Sequence, residues 1–312
     1  MIDFKSALFD IFFRTPIKME NILVFDLAFY YAILSAFIFS MADFAGRFGI
    51  HKTNAFVGTT MTRGVASVIL FAAIVLTGVK FPPLSVDYLW VMIAGICLPG
   101  LFSLLLLTSI LKIGVSRAAP IKGSSPLFAS FLAILFLGEE PTWYHLLGVV
   151  FVVFGVILIS LSPTEGQWKR KDIIWPISAA LISGIGSVTW RHAMSLFKEP
   201  IAATFIGTFS AFILVVTFTS IFKRKSLIPG IKAAWKPFFL MGFFAAVGVL
   251  LYVSALQKGD VYRISSLVQT SPLVTVFFSF IFLRKVEKIS WRVPIGAIIT
   301  LTGVALVNSN FK

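Results

Sequence analysis

Residues 114–140 read GVSRAAPIKGSSPLFASFLAILFLGEE. The run is long and apolar enough to cross a bilayer, yet its first half holds Pro120, Lys122, Gly123, Ser124, Ser125 and Pro126. A second stretch, residues 259–287, reads GDVYRISSLVQTSPLVTVFFSFIFLRKVE. It keeps a basic residue, a Ser-Pro step and an apolar run in the same order, with Pro272 where the first copy has Pro126 and Phe282-Leu283 where it has Phe136-Leu137. The chain therefore repeats itself, and polar or helix-breaking residues interrupt both copies.

The repeat extends on either side. Ser109 aligns with Ser254, and Glu139 stands nine residues before Gly148 as Glu287 stands nine before Gly296. Each glycine has another seven residues on, Gly155 and Gly303, and that spacing puts both on one helix face suited to close packing. Apolar runs near the length of a bilayer span fall at 26–46, 55–78, 87–110, 116–137, 143–161, 173–194, 201–222, 235–256, 261–283 and 292–309. The expectation is an all-α integral membrane protein of ten transmembrane helices. Five spans in each half force the second half to enter from the opposite face, so the halves form two inverted five-helix repeats. The first repeat is 26–161 and the second 173–309, joined by a basic linker at 162–172. Residues 1–25 form an N-terminal extension, either a surface-lying segment or an over-called start.

Composition sets the class. Of 312 residues, 58% are hydrophobic and 13% charged. The formal net charge of +14 would point to nucleic acid in a soluble protein, but these Lys and Arg lie mostly in short connections, where they orient helices against anionic lipid. Nucleic acid is therefore not an expected partner. The lone Cys97 sits in an apolar run and reads as a small packing residue. Sixteen basic residues lie on the side holding the 1–2, 3–4, 5–6, 7–8 and 9–10 connections, here the basic side, against nine on the other. That count places both termini outside.

Charge well inside a span is costly, so function is its first hypothesis. Asp43, Arg63 and Lys122 qualify, at depths of roughly 5, 12 and 9 Å below the basic face by helical rise. If Asp43 pairs with one base, a positive charge is left over to bind a carboxylate or phosphate, and Asp43 becomes the candidate coupling group. A purely structural cluster, with Arg63 snorkelling to headgroups, is the plainer reading.

Pro120, Gly123 and Pro126 break the helix around Lys122, and Ser124 and Ser125 can bond the freed carbonyls. Irregular backbone at this depth is tolerated only against protein or a wet cavity. The second copy offers Gln269, Thr270 and Pro272, uncharged but rich in hydrogen-bonding groups, with Val268 where Lys122 stands. A proline kink that only shapes the bundle is the alternative. On the other face, Trp190 and Arg191 read as interface anchors and His192 as an isolated residue. No paired carboxylates, phosphate loop, nucleophile motif or metal-ligand cluster is present, so neither an enzyme, a cofactor nor a metal is expected.

Leu111-Lys112-Ile113-Gly114, Ser125-Pro126-Leu127, Leu137-Gly138-Glu139 and Leu147-Gly148 to Gly155-Val156, with their second-half counterparts, resemble the EamA domain of the drug/metabolite transporter superfamily. Arg63 falls where that family often has an arginine early in its second helix. The resemblance implies four helices of each half around a central cavity, the fifth packed outside, and export or exchange of small metabolites, often against a proton or counter-substrate. It also implies cytoplasmic termini, against the charge count, and it matches no motif residue to Lys122.

The leading expectation is a multi-pass secondary transporter of a bacterial or archaeal plasma membrane. Its partners would be an anionic or zwitterionic small-molecule solute, the lipid bilayer and a coupling proton or counter-substrate, with a homodimer left open. A lipid-linked-substrate flippase and a non-transporting scaffold are the alternatives.

Overall fold

The computed structural model describes residues 25–83, 85–114, 118, 121–160, 169–271, 273–274 and 292–309. The N-terminal extension up to residue 24, Pro120, Pro272 and the second half of span 9 lie outside them. The described helices are α1 (Leu27–Arg47), α2 (Ala55–Thr77), α3 (Asp87–Gly95), α4 (Phe102–Ile113), α5 (Ser125–Leu137), α6 (Trp143–Ser160), α7 (Ile174–Leu196), α8 (Pro200–Phe222), α9 (Arg224–Lys258), α10 (Val261–Val268) and α11 (Arg292–Val307). A π-type turn, Ile96–Leu101, joins α3 to α4. Among the described residues, six helical segments are long and apolar enough to cross a membrane, and residues 125–137, 143–158 and 294–307 form shorter apolar helices.

Local chemistry sets the ends. Asp26 Oδ1 accepts from Phe29 N at 2.9 Å and Asn54 Oδ1 from Val57 N at 3.0 Å, answering first-turn donors of α1 and α2. Gly78 and Gly138, at φ +67° and +66°, close α2 and α5 in the left-handed region. Along α2, Thr59, Arg63, Ala66, Ser67 and Leu70 are buried, while Val68, Phe71 and Val75 on the far side are 69%, 51% and 65% exposed. Large apolar side chains left bare in this pattern belong against hydrocarbon.

Close approach through glycine organises the bundle. α9 lies between α1 and α2: Ser35 Oγ donates to the Gly248 carbonyl at 2.9 Å, and an added Cβ on Gly242 would stand 2.7 Å from Val65 Cβ. Two threonines join α2 to α8, Thr60 Oγ1 and Thr219 Oγ1 at 2.9 Å. The glycine faces of α6 and α11 meet each other, Gly148 against Gly303 and Gly155 against Gly296, the reversed order of an antiparallel pair.

In span 9 the helix begun at Val261 ends at Val268, at the interruption expected in the second copy. Three expectations need correction. Span 3 is not one helix: Leu98 adopts φ −136°, ψ 103°, because Pro99 brings no N–H and cannot continue the α ladder. Span 8 starts at Arg224 rather than 235, since Arg224, Lys225, Lys232 and Lys236 end an apolar run without ending a helix. Trp190 is no interface anchor: it is fully buried, and its Nε1–H donates to the freed Leu98 carbonyl at 2.6 Å.

Candidate functional site

Helix register decides where the intramembrane charges stand. A Cβ on Gly58 would lie 3.5 Å from Leu107 Cδ1, so α2 rises past α4 with those residues abreast. Five residues further along α2 and five back along α4, Arg63 is level with Phe102. A second route agrees. Gly64 abuts Phe212 of α8, and Ala211 next to it abuts Gly100, two residues before Phe102. The Lys122 ammonium lies 5.7 Å from the centroid of the Phe102 ring. Lys122 thus meets the ring of Phe102, and the register of α2 puts Arg63 at about the level of that residue.

Among the described residues no acidic side chain pairs with either cation. Arg63 is only 4% exposed, and its Nε and Nη1 have no hydrogen-bond partner among the described residues. Half-buried Lys122 makes no ion pair there either. Asp43 is the expected partner, but no ion pair joins it to either base. The reason is topological. Gly46 abuts Met241 and Gly248 abuts Phe39, which sets Asp43 level with Phe244, about one turn from Arg63 but on the other side of α9.

The backbone turns at Gly123–Ser124, immediately after Lys122, and again at Gln269–Thr270. Ser124 Oγ donates to the Ile121 carbonyl at 2.7 Å and Thr270 Oγ1 to the Leu267 carbonyl at 2.7 Å, so hydroxyls answer carbonyls at both interruptions. Gly123, Ser125, Pro126, Gln269 and Thr270 are buried, and Gln269 Nε2 has no partner among the described residues. Beside the level of Phe102, between α2, α4 and α8, lies an apolar cavity of about 360 Å³ lined by Phe56, Leu101, Leu104, Val215 and Phe218 among others.

A larger cavity, about 710 Å³, opens at the opposite face, where α5, α7 and α9 end. Its lining includes Glu139, Glu140, Arg191, His192, Gln257 and Asp260. Glu139 Oε1 accepts from Val261 N at 2.7 Å and Oε2 from Tyr262 N at 3.3 Å, capping α10 from 122 residues away. Arg191 Nη1 donates to the Leu256 and Gln257 carbonyls at 2.8 and 2.9 Å, closing the last turn of α9, and Nη2 stands 3.9 Å from Asp260 Oδ1. His192 lies edge-on to Trp90 with ring centroids 4.7 Å apart. Burial pushes the Glu139 carboxyl above its usual range, outweighing the two backbone N–H groups that favour the ion. Sequence reading missed this cluster. Glu139 served only to mark the repeat, and the one available signal was its place just past the left-handed Gly138.

The model of the EamA-like transporter family matches residues 26–161 and again residues 170–309. The chain belongs to the EamA-like transporter family. An uncharacterized transporter of Archaeoglobus fulgidus is 23% identical over 193 residues, 62% of this chain and 66% of that protein, just under two thirds. The uncharacterized transporter YyaM of Bacillus subtilis is 25% identical over 258 residues, 77% of this chain and 80% of that one. The chloroplastic phosphoenolpyruvate/phosphate translocator 1 of Arabidopsis thaliana is 33% identical over 110 residues, 35% of this chain and 27% of that protein. A solved crystal structure superposes with a TM-score of 0.68 over 90% of this chain and 97% of its own, at 13% identity, a likeness of fold. This EamA-family chain is an integral membrane protein.

Proposed function

We propose that this EamA-family member is a secondary transporter that exports a small anion or zwitterion by alternating access, between ten helices in two inverted halves, in a bacterial or archaeal plasma membrane. The observation that carries the reading is Arg63, buried without an anionic partner among the described residues at about the level where Lys122 meets Phe102. An unpaired buried charge costs several kcal/mol, and an anion that enters, binds and leaves removes that cost only in the loaded state. Lys122 and Arg63 would take a carboxylate or phosphate. Ser124, Ser125, Gln269 and Thr270, at the two backbone turns, would bind its polar remainder. Asp43, one turn away across α9, stays the candidate coupling group.

The plant relative's name, a phosphoenolpyruvate/phosphate translocator, makes a phosphate or carboxylate ester the first solute to try. The test is counterflow by purified protein in liposomes, comparing phosphate, phosphoenolpyruvate, organic acids and amino acids with and without a pH gradient. Parent protein should exchange at least one anion, and Lys122→Ala should lose most of that flux. A Lys122→Ala protein that moves every solute as well as the parent does would sink the anion site.

One observation favours a second reading, a flippase for an anionic lipid-linked substrate: the apolar cavity between α2, α4 and α8, which runs from near the level of Arg63 toward the start of α2 and the end of α8, could seat a hydrocarbon chain. Movement of a fluorescent phospholipid between leaflets, without soluble-anion flux, would establish that alternative.

A further inference from the structure

The basic end of α9 does not follow the bundle. α8 and α2 meet at Thr219 and Thr60, 2.9 Å apart, and Phe222, three residues on, lines the apolar cavity together with Phe56. α8 therefore ends level with the first turn of α2. Arg224 opens α9 two residues later, and Gly230 abuts Thr53 and Val57 at that same turn. The first two turns of α9 thus start and finish at about one depth, running across the basic face rather than along the bundle. Phe238 then packs on Gly58, and only from there does α9 descend in step with α2, Gly242 against Val65. Pro229 and Pro237, which bring no N–H to the helix ladder, stand within the slanted stretch.

This stretch presents two strips to its surroundings. Gly230, Ala234 and Phe238 are buried against the bundle. Ile228, Ile231, Trp235 and Phe239, at steps of three and four, are exposed on the side away from it. Beside them Lys225, Lys232 and Lys236, at steps of seven and four, form a row of exposed ammonium groups. The strips meet where the Lys236 ammonium lies 5.7 Å from the centroid of the Trp235 ring. No acidic residue occurs between Pro200 and Gly259, and none of the three lysines makes an ion pair among the described residues.

We propose that Arg224–Lys236 forms a binding site for anionic phospholipid, an acyl chain lying along Ile228, Trp235 and Phe239 and the headgroup phosphate held by Lys232 and Lys236. A lysine beside an anionic membrane surface gains about 1 kcal/mol, and an amphipathic helix in the interface buries its apolar strip in the same event. Charge and depth select this occupant over others. A soluble acidic partner would meet the lysines but could not cover apolar side chains that face the bilayer. A second copy of this chain, joined through the same face, would set lysines against lysines. The site rests on membrane insertion alone and holds whatever solute the protein moves.

Quenching of Trp235 by lipids brominated on their acyl chains tests the site, with the full chain in nanodiscs. The fluorescence that Trp235→Phe removes is the share of that residue. Brominated phosphatidylglycerol in phosphatidylcholine should quench this share as if enriched about fivefold or more over its bulk fraction. Brominated phosphatidylcholine in phosphatidylglycerol should quench it less than its bulk fraction predicts. Replacing Lys225, Lys232 and Lys236 together by Gln should bring the preference to about one. Replacing Lys169, Arg170 and Lys171 by Gln, on the same side of the membrane, should leave it in place. If the α9 triple variant does not fold, salt decides: raising it from about 50 mM to about 1 M should lower the preference of parent protein severalfold. Equal quenching by the two lipids overturns the site, and so does a preference that survives the α9 substitutions or is unmoved by salt. Absence of quenching by either lipid would mean that protein covers the strip, a second copy or another partner, and would overturn it equally.

Discussion

Trp190 donates its indole N–H to the Leu98 carbonyl at 2.6 Å, from inside α7 to the point where Pro99 breaks the next helix. The contact converts a liability of the Leu98-Pro99-Gly100 step into a fixed joint between the two halves. Trp190→Phe keeps most of the ring volume but leaves a buried carbonyl without a donor, which costs about 1–3 kcal/mol. Thermal unfolding in detergent should show the variant melting below the parent. Equal melting would mean that water takes over the bond and the joint is wet.

Helix existence was legible because hydrocarbon demands some twenty apolar residues whatever the tertiary packing. Ends were less so. Arg224 to Ala234 reads as a basic connection by hydropathy yet continues a helix, since backbone hydrogen bonding is indifferent to side-chain charge once the turn lies outside the hydrocarbon. Trp190 and Arg191 share the composition of an interface belt, and only packing reveals that one answers a broken helix and the other closes α9. The depth of Arg63 and Lys122 follows from counting. Their common level at Phe102 needs the register of α2 against α4, which no single segment encodes.

The α6–α11 seam has no room for a side chain. A Cβ on Gly148 would stand 2.8 Å from the Gly303 carbonyl oxygen, and one on Gly303 would stand 2.7 Å from that of Gly148. Gly148→Leu must push the helices apart, at about 1–3 kcal/mol or more. Gly303→Leu should cost a similar amount, and the double variant less than the sum, because one separation serves both. Detergent melts of the three proteins read this directly, and additive losses would show that the glycines act at separate contacts.

Arg263 brackets the start of α1 and the end of α11: Nη1 and Nη2 reach the two Asp26 oxygens at 2.9 and 3.0 Å, and Nε reaches Asn308 Oδ1 at 2.7 Å. Burial alone would raise the Asp26 carboxyl. The Arg263 hydrogen bonds and charge and the Phe29 N–H outweigh it and hold the group below its ordinary value of 3.8. A carboxyl depressed in the folded state contributes stability above its unfolded pKa and loses it as pH falls through the folded one. Asp26→Asn should therefore destabilise at neutral pH, by about 1 kcal/mol or less for so exposed a carboxylate. The gap to the parent should close in acid, at pH below the ordinary carboxyl value of 3.8. A gap that persists in acid would assign the effect to capping of α1 instead.

Arg63 should carry opposite signs for stability and for binding. Without ligand, a buried guanidinium whose Nε and Nη1 have no partner among the described residues is a cost, so Arg63→Gln should raise the melting temperature of the empty protein, by up to about 1–4 kcal/mol in stability. With ligand, the charge is what the anion binds. Adding the transported anion at a hundred times its dissociation constant should stabilise parent protein by about 2.7 kcal/mol and Arg63→Gln hardly at all. Lys122→Gln should lose the same ligand-induced shift while changing the empty protein less, because Lys122 is half-buried against Phe102 rather than enclosed. Melting curves at increasing phosphate and phosphoenolpyruvate, at constant ionic strength, separate the two effects. Should Arg63→Gln melt lower than parent protein with no anion present, the guanidinium is satisfied inside the fold and has no vacancy to offer a solute.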